Sequence, residues 1–128
     1  MKSGTVEKWI RRCILAYPVL LPAALYATWV FARLSLGRWP RTSLDDPKYI
    51  NMLVSCAHSF VLLLWIVGLP TYVVLAVFTL GWGLLRCLRK QPHGIKLAVY
   101  ACLSMVSLVV AIRFIYWDPL SVFEWFMD

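Results

Sequence analysis

Charged residues are scarce in this chain, and acidic residues are the scarcest. Only 6 of its 128 residues are Asp or Glu, against 13 Lys and Arg, and charged residues make up 15% of the whole. Hydrophobic residues reach 62%, and the mean hydropathy is +0.74. This composition lies outside the usual range of a soluble domain. It predicts a polytopic membrane protein in which residues 1–128 form a single membrane domain.

The basic residues are not distributed as in a nucleic-acid-binding protein. They form three clusters that flank apolar runs, as residues do that set membrane topology and contact lipid headgroups. We therefore expect membrane lipids among the partners and no nucleic acid. The clusters are Lys2, Lys8, Arg11 and Arg12; Arg33, Arg38, Arg41 and Lys48; and Arg86, Arg89, Lys90 and Lys96.

The signatures of common enzyme and metal sites are absent from the sequence. It contains no glycine-rich phosphate loop, no H-E-x-x-H and no G-x-S-x-G, and its four cysteines show no C-x-x-C spacing. His58 and His93 are 35 positions apart, and His93 lies in a basic loop, which argues against a haem held by both. The sequence thus predicts a non-enzymatic protein with no cofactor and no metal site.

Long apolar stretches predict an all-α integral membrane protein. The first covers about 13–32 and is longer than the hydrophobic region of a cleaved signal peptide, so we expect it to remain as a span. The last covers about 95–117. Between them, residues 33–48 form the only substantial hydrophilic connection, predicted to be external, and the charge-free run 49–85 follows it.

The run 49–85 is too long for one upright span and barely long enough for two. Its 37 residues would form a helix of about 55 Å, against a hydrocarbon core of about 30 Å. In one division, a short interfacial helix over about 47–58 precedes a span over about 59–85, which makes three transmembrane helices. In the alternative, Gly68–Thr71 is a tight turn between two spans, which makes four.

The positive-inside rule favours one of these divisions. With three spans and a cytoplasmic N-terminus, eight basic residues lie inside, against four in the 33–48 loop. Four spans with the same N-terminus invert that ratio. The sequence therefore predicts three spans, with the N-terminus in the cytoplasm and the C-terminus on the external, periplasmic side.

Five polar residues form a candidate structural or functional cluster. Arg113 is the only charged residue inside a predicted span, where a charge is costly enough to require a partner. In the three-span arrangement, it could form an ion pair with Asp45, Asp46 or Asp118. His58 shares a helical face with other polar residues, and we expect it to make an interhelical hydrogen bond.

The C-terminal segment alternates aromatic and acidic residues. Asp118 followed by proline has the form of a helix start, and we predict a short interfacial helix over about 119–127. Trp125 and Phe126 of this helix, with Trp39 of the hydrophilic loop, form the candidate interaction surface. Aromatic side chains are enriched at membrane interfaces, which supports this placement.

Two segments resemble sequences of a known kind. The loop G-R-W-P-R-T-S-L-D-D-P-K at 37–48 and the ending D-P-x-x-V-x-E-W-F-x-D at 118–128 are similar to segments of small uncharacterised bacterial multi-pass membrane proteins. The resemblance implies a bacterial inner-membrane location and no defined activity.

The sequence favours an accessory or scaffold subunit that acts through protein–protein contacts in the membrane. Its partner would be a larger membrane protein or further copies of the chain. The alternatives are a small oligomeric transporter or channel, and an immunity protein against a pore-forming toxin.

Overall fold

The computed structural model describes residues 3–91, 93–118 and 120–127, with side chains from Lys8 onward. These residues form helices and no strand, and three helices are long and apolar enough to cross a membrane. The predicted all-α fold with three spans is confirmed, and the four-span alternative is wrong. The helices are α1 Ser3–Leu36, α2 Pro47–Ile50, α3 Met52–Leu63, α4 Leu69–Leu88, α5 Gly94–Trp117 and α6 Val122–Met127, with a π-helical turn, Leu64–Gly68, joining α3 to α4.

The three long helices form an up-down-up arrangement. Helices α1 and α5 run in the same direction, since Arg11 lies over the ring of Tyr100 near their starts and Tyr26 contacts Phe114 near their ends. The continuous helix Met52–Leu88 returns in the opposite direction. We call the end that holds α2, α6 and the connection 37–46 the loop end. The opposite end, with the start of α1 and the α4–α5 connection, is the basic end.

The π-helical turn explains why the chain does not reverse near Gly68. Pro70 has no backbone N–H and cannot make the α-helical bond to the carbonyl four residues earlier. Instead, the N–H of Leu69 donates to the carbonyl of Leu64, a bond that spans five residues and keeps the helix continuous. The Leu64 carbonyl also accepts a hydrogen bond of 2.6 Å from the hydroxyl of Tyr17. The tight turn that the four-span alternative required at Gly68–Thr71 is therefore absent, and the chain there is helical, following a bulge at Leu64–Gly68 that is bonded to α1.

The break in this part of the chain lies at Asn51, earlier than the sequence suggested. The backbone of Asn51 is extended, and its side chain accepts a hydrogen bond of 2.8 Å from the N–H of Val54 while donating to Ser35 at 2.6 Å. Asn51 thus caps α3 and ties it to the end of α1. The predicted helix over 47–58 is wrong: α2 is one turn long, and 52–58 belong to the long helix.

Regularly spaced buried residues form the contacts that hold the long helices together. In α4 and α5 the buried positions alternate in steps of three and four, the spacing of helices that pack side by side along their length, and α1 has the same spacing apart from the adjacent Thr28 and Trp29. Many of these residues are small, which allows close approach where lipid supplies no hydrophobic driving force. In α5 they are Gly94, Leu97, Ala101, Ser104, Leu108, Ala111 and Ile115. In α4 they are Tyr72, Ala76, Thr79 and Gly83.

The tightest of these contacts is between α4 and α5. A Cβ atom added to Gly83 would lie 2.8 Å from the backbone nitrogen of Ala98, and one added to Gly94 would lie 2.7 Å from that of Cys87. The two glycines therefore set the separation of the helices at the basic end.

We expect Gly83→Ala to lower the thermal unfolding midpoint in detergent, by the equivalent of about 1–3 kcal/mol, because backbone atoms would have to move apart. Gly81→Ala is the matched control, since a Cβ atom there meets nothing within 4 Å. Equal midpoints for the two variants would contradict the close contact described between α4 and α5.

Candidate functional site

Most of the sequence-predicted polar and aromatic residues lie at the loop end, where Asp45 organises the connection between α1 and α2. Its carboxylate accepts two hydrogen bonds from the guanidinium of Arg38, at 2.6 and 2.8 Å, and a third of 2.9 Å from the N–H of Arg41. The Arg38 hydrogen bond and then that of Arg41 lower the pKa of the Asp45 carboxyl below its usual range. Asp45 therefore stabilises the folded loop, and it does not form the predicted ion pair with Arg113.

Helix α6 is fastened to this loop by one of the predicted interface tryptophans. The indole N–H of Trp125 donates to the backbone carbonyl of Asp45 at 2.5 Å. Trp125 and Phe126 are completely buried, at 0% and 1% exposure, in a core cluster with residues of α1, α3 and α5. Their predicted role in an interaction surface is therefore wrong. The segment is apolar because it fills the bundle end, and neither side chain is available to a partner.

Asp118 joins α5 to α6 and adopts a left-handed backbone conformation, with φ of 38°. Its carboxylate accepts hydrogen bonds of 2.6, 2.9 and 3.0 Å from the backbone N–H groups of Val122, Phe123 and Glu124. These donors lack partners within the first turn of a helix, so Asp118 is a helix cap. The helix begins at Val122, and Pro119, where the sequence suggested a start, lies outside the described residues.

His58 makes the hydrogen bond across elements that the sequence suggested, although its partner lies in α6. His58 is 3% exposed, and the centre of its ring lies 4.4 Å from that of the Phe126 ring, with the two ring planes tilted by 39°. Nε2 of His58 lies 3.2 Å from the backbone carbonyl of Phe126. Because a carbonyl only accepts, Nε2 carries the proton of this bond. The His58 bond and the Trp125 bond together therefore attach α6 to α3 and to the loop.

Arg113 does not join these residues. Its side chain is exposed on α5, and no described carboxylate lies within ion-pair distance of it. The predicted partners are used elsewhere, since Asp46 caps α2 through a 2.9 Å bond from the N–H of Lys48. Arg113 lies about one turn from the end of α5, so its long side chain can reach the lipid headgroups instead. The predicted five-residue cluster is thus not a single site.

Trp39 remains exposed, at 49%, and lies in a stack that the sequence did not reveal. Its ring lies 4.2 Å from that of Trp29 at the end of α1, and the guanidinium of Arg33 lies 3.9 Å from its centre. This cation–π arrangement holds the first half of the loop against α1. In the sequence, the feature that indicates this stack is the spacing of Arg33 and Trp29 on α1, because residues four apart on a helix share one face.

An open groove runs between the loop and α6, and no single sequence feature indicated it. It has a volume of about 340 Å³ and is lined by Thr42, Ser43, Glu124 and Met127. Glu124 and Met127 are exposed, while the neighbouring Trp125 and Phe126 face the interior. The exposed face of the predicted C-terminal helix is therefore the groove side of α6.

Comparisons with protein-family models, curated proteins and solved structures find no match to this chain. No group of three His, Cys, Asp or Glu residues that could hold a metal ion occurs among residues 3–91, 93–118 and 120–127.

We expect Asp45→Asn to destabilise the protein most at neutral pH. The lowered pKa of Asp45 means that its contribution to stability is complete above the ordinary carboxyl pKa of about 4 and is lost as the pH falls through the lower folded-state value. The difference in thermal unfolding midpoint between wild type and Asp45→Asn should therefore shrink below about pH 4. Glu124→Gln is the control for general acid effects, and a pH-independent difference would refute the assignment.

Proposed function

We propose that this protein is a non-enzymatic accessory or scaffold subunit that binds a protein partner at its loop end. The observation that carries the proposal is the open groove lined by Thr42, Ser43, Glu124 and Met127, set on a rigid support. The three spans anchor this surface at the membrane.

The elements that form the walls of the groove are held in place by bonds within the protein, without a partner. One wall is held by the Arg38–Asp45 pair, and the other by the cap that Asp118 places on α6. The bond from Trp125 to the Asp45 carbonyl joins the two walls directly. A partner would therefore lose little affinity to ordering this surface, which is the advantage of a pre-organised binding site.

The chemistry of the groove favours a polar or basic segment of a partner protein. Hydroxyl groups come from Thr42 and Ser43, a carboxylate comes from Glu124, and Met127 offers an adaptable apolar contact. Trp39 is exposed on the same loop and can widen the contact area. Aromatic residues and methionine are enriched in protein interfaces.

The buried hydroxyl groups of the spans give no support to the transporter alternative. Thr28, Thr79 and Ser104 each donate to a carbonyl of their own helix, three or four residues earlier, at 2.6 to 2.9 Å. Hydroxyl groups that bond to their own helix in this way stabilise packing. They do not form a continuous polar path across the membrane. A larger assembly with a second copy remains compatible with the groove, because that copy could occupy it.

The proposed location is the bacterial inner membrane, with the basic end in the cytoplasm. The support for this orientation is the positive-inside rule, since Lys8, Arg11 and Arg12 lie at the same end of the bundle as the basic residues around the α4–α5 connection. The loop end and its groove would then face the periplasm, where a partner meets them.

We expect single cysteines at positions 42 and 127 to react with a membrane-impermeant maleimide added to intact cells, in a background with the four native cysteines replaced. A cysteine at Gln91, in the α4–α5 connection, should react only after the cells are opened. Labelling of 91 in intact cells would overturn the orientation, and labelling of 42 and 127 from opposite sides would overturn the shared loop end.

We expect a photo-crosslinking amino acid at Thr42 or Met127 to form a discrete protein adduct in native membranes. The same group at Val99, which faces outward from α5, should not form it. Charge reversal by Glu124→Lys should reduce the adduct about tenfold without lowering the thermal unfolding midpoint, because the residue is exposed and serves no core contact.

Identification of the adduct separates the two kinds of partner. A second protein that co-purifies with wild type and is lost with Glu124→Lys supports the accessory role, and a crosslinked dimer supports self-assembly at the groove. Equal adducts from the groove and from position 99, or an adduct unaffected by Glu124→Lys, would reject the proposal.

A further inference from the structure

The basic end contains a shallow pocket between the start of α1 and the first turns of α5, far from the groove. Its volume is about 230 Å³. Three basic side chains and two apolar or aromatic ones line it: Lys8, Arg11, Arg12, Leu15 and Tyr100. The proposed function at the loop end uses none of these residues.

The charged side chains that line this pocket are all basic. Lys8, Arg11 and Arg12 carry three positive charges, and none of the described side chains that line the pocket is acidic. The guanidinium of Arg11 lies 5.9 Å from the centre of the Tyr100 ring, which leaves its N–H groups able to bind an anion while the ring holds it in place. Like charges around one pocket repel one another, so an anion bound among them is stabilised.

The surface below the pocket is apolar. Leu15 lines the pocket, and Val19 lies one helical turn further from the basic end on the same face of α1. Leu103 lies one turn deeper than Tyr100 on α5, and all three of these aliphatic side chains are exposed. The site therefore offers cations at the end of the bundle and an exposed apolar track that leads from them toward the membrane interior.

We propose that this pocket binds the phosphate of an anionic phospholipid, whose acyl chains lie along Leu15, Val19 and Leu103. A phosphate group matches the fork of an arginine and the point charge of a lysine. Basic pockets between transmembrane helices bind lipid headgroups on this chemical basis. The apolar track distinguishes a phospholipid from free phosphate, because only the lipid gains from both parts of the site.

The test measures the thermal unfolding midpoint of the full chain in mild detergent during titration with dioleoyl phosphatidylglycerol. Phosphatidylcholine with the same acyl chains and inorganic phosphate form the comparison arms. We expect a saturable rise with phosphatidylglycerol alone, and native mass spectrometry should show one retained lipid per chain. The triple variant Lys8→Gln, Arg11→Gln, Arg12→Gln should bind about tenfold more weakly or worse, since each cation near an anionic headgroup contributes.

The matched control removes the same charge from the end of α4, by Arg86→Gln, Arg89→Gln and Lys90→Gln, because none of these residues lines the pocket. This variant should retain wild-type affinity for phosphatidylglycerol. An equal loss in both variants would overturn the pocket in favour of general charge attraction, and an equal rise with inorganic phosphate would overturn the lipid as ligand. Arg11→Gln alone provides a milder variant should the triple one not fold, and unchanged affinity in it would count against the site.

Discussion

The structure depends on one constraint, that every backbone polar group within a membrane must be paired inside the protein. At Pro70, where a donor is missing, the chain keeps its helix by a five-residue bond from Leu69 to Leu64. Where helices begin at the loop end, Asn51 and Asp118 supply side-chain caps. The polar residues that the sequence made conspicuous therefore serve mainly to complete the backbone pairing of this fold.

The same constraint explains why the loop end is well ordered. Helix α6 is only six residues long and could not be stable alone, since short isolated helices are marginal. It persists because Asp118 caps it, while hydrogen bonds of Trp125 and His58 attach it to the loop and to α3. A groove whose wall is this helix is thus a product of tertiary packing, and its shape is linked to the folding of the connection between α1 and α2.

The two ends of the bundle differ in the charge of their described side chains. At the loop end, Asp45 and Asp46 are neutralised by Arg38 and Lys48 or by backbone donors, so the surface offers shape and hydroxyl groups. At the basic end, the cations of α1 gather beside Tyr100 without an acidic lining residue. The proposed protein partner at the loop end and the proposed anionic phospholipid at the basic end match this difference in charge.

Hydropathy and the distribution of basic residues were sufficient to predict the all-α, three-span architecture, because both act through local composition. Cap-forming residues such as Asp118 were also visible in the sequence, since capping is a short-range interaction. The sequence could not decide whether Trp125 and Phe126 face lipid or fill the core, because an aromatic side chain is stable in either place. Nor could it place Arg113, whose predicted partners were already used. Only the tertiary structure decided these questions, because it packs α6 against three other helices and pairs Asp45 and Asp46 with other groups, through contacts between residues as many as 80 positions apart.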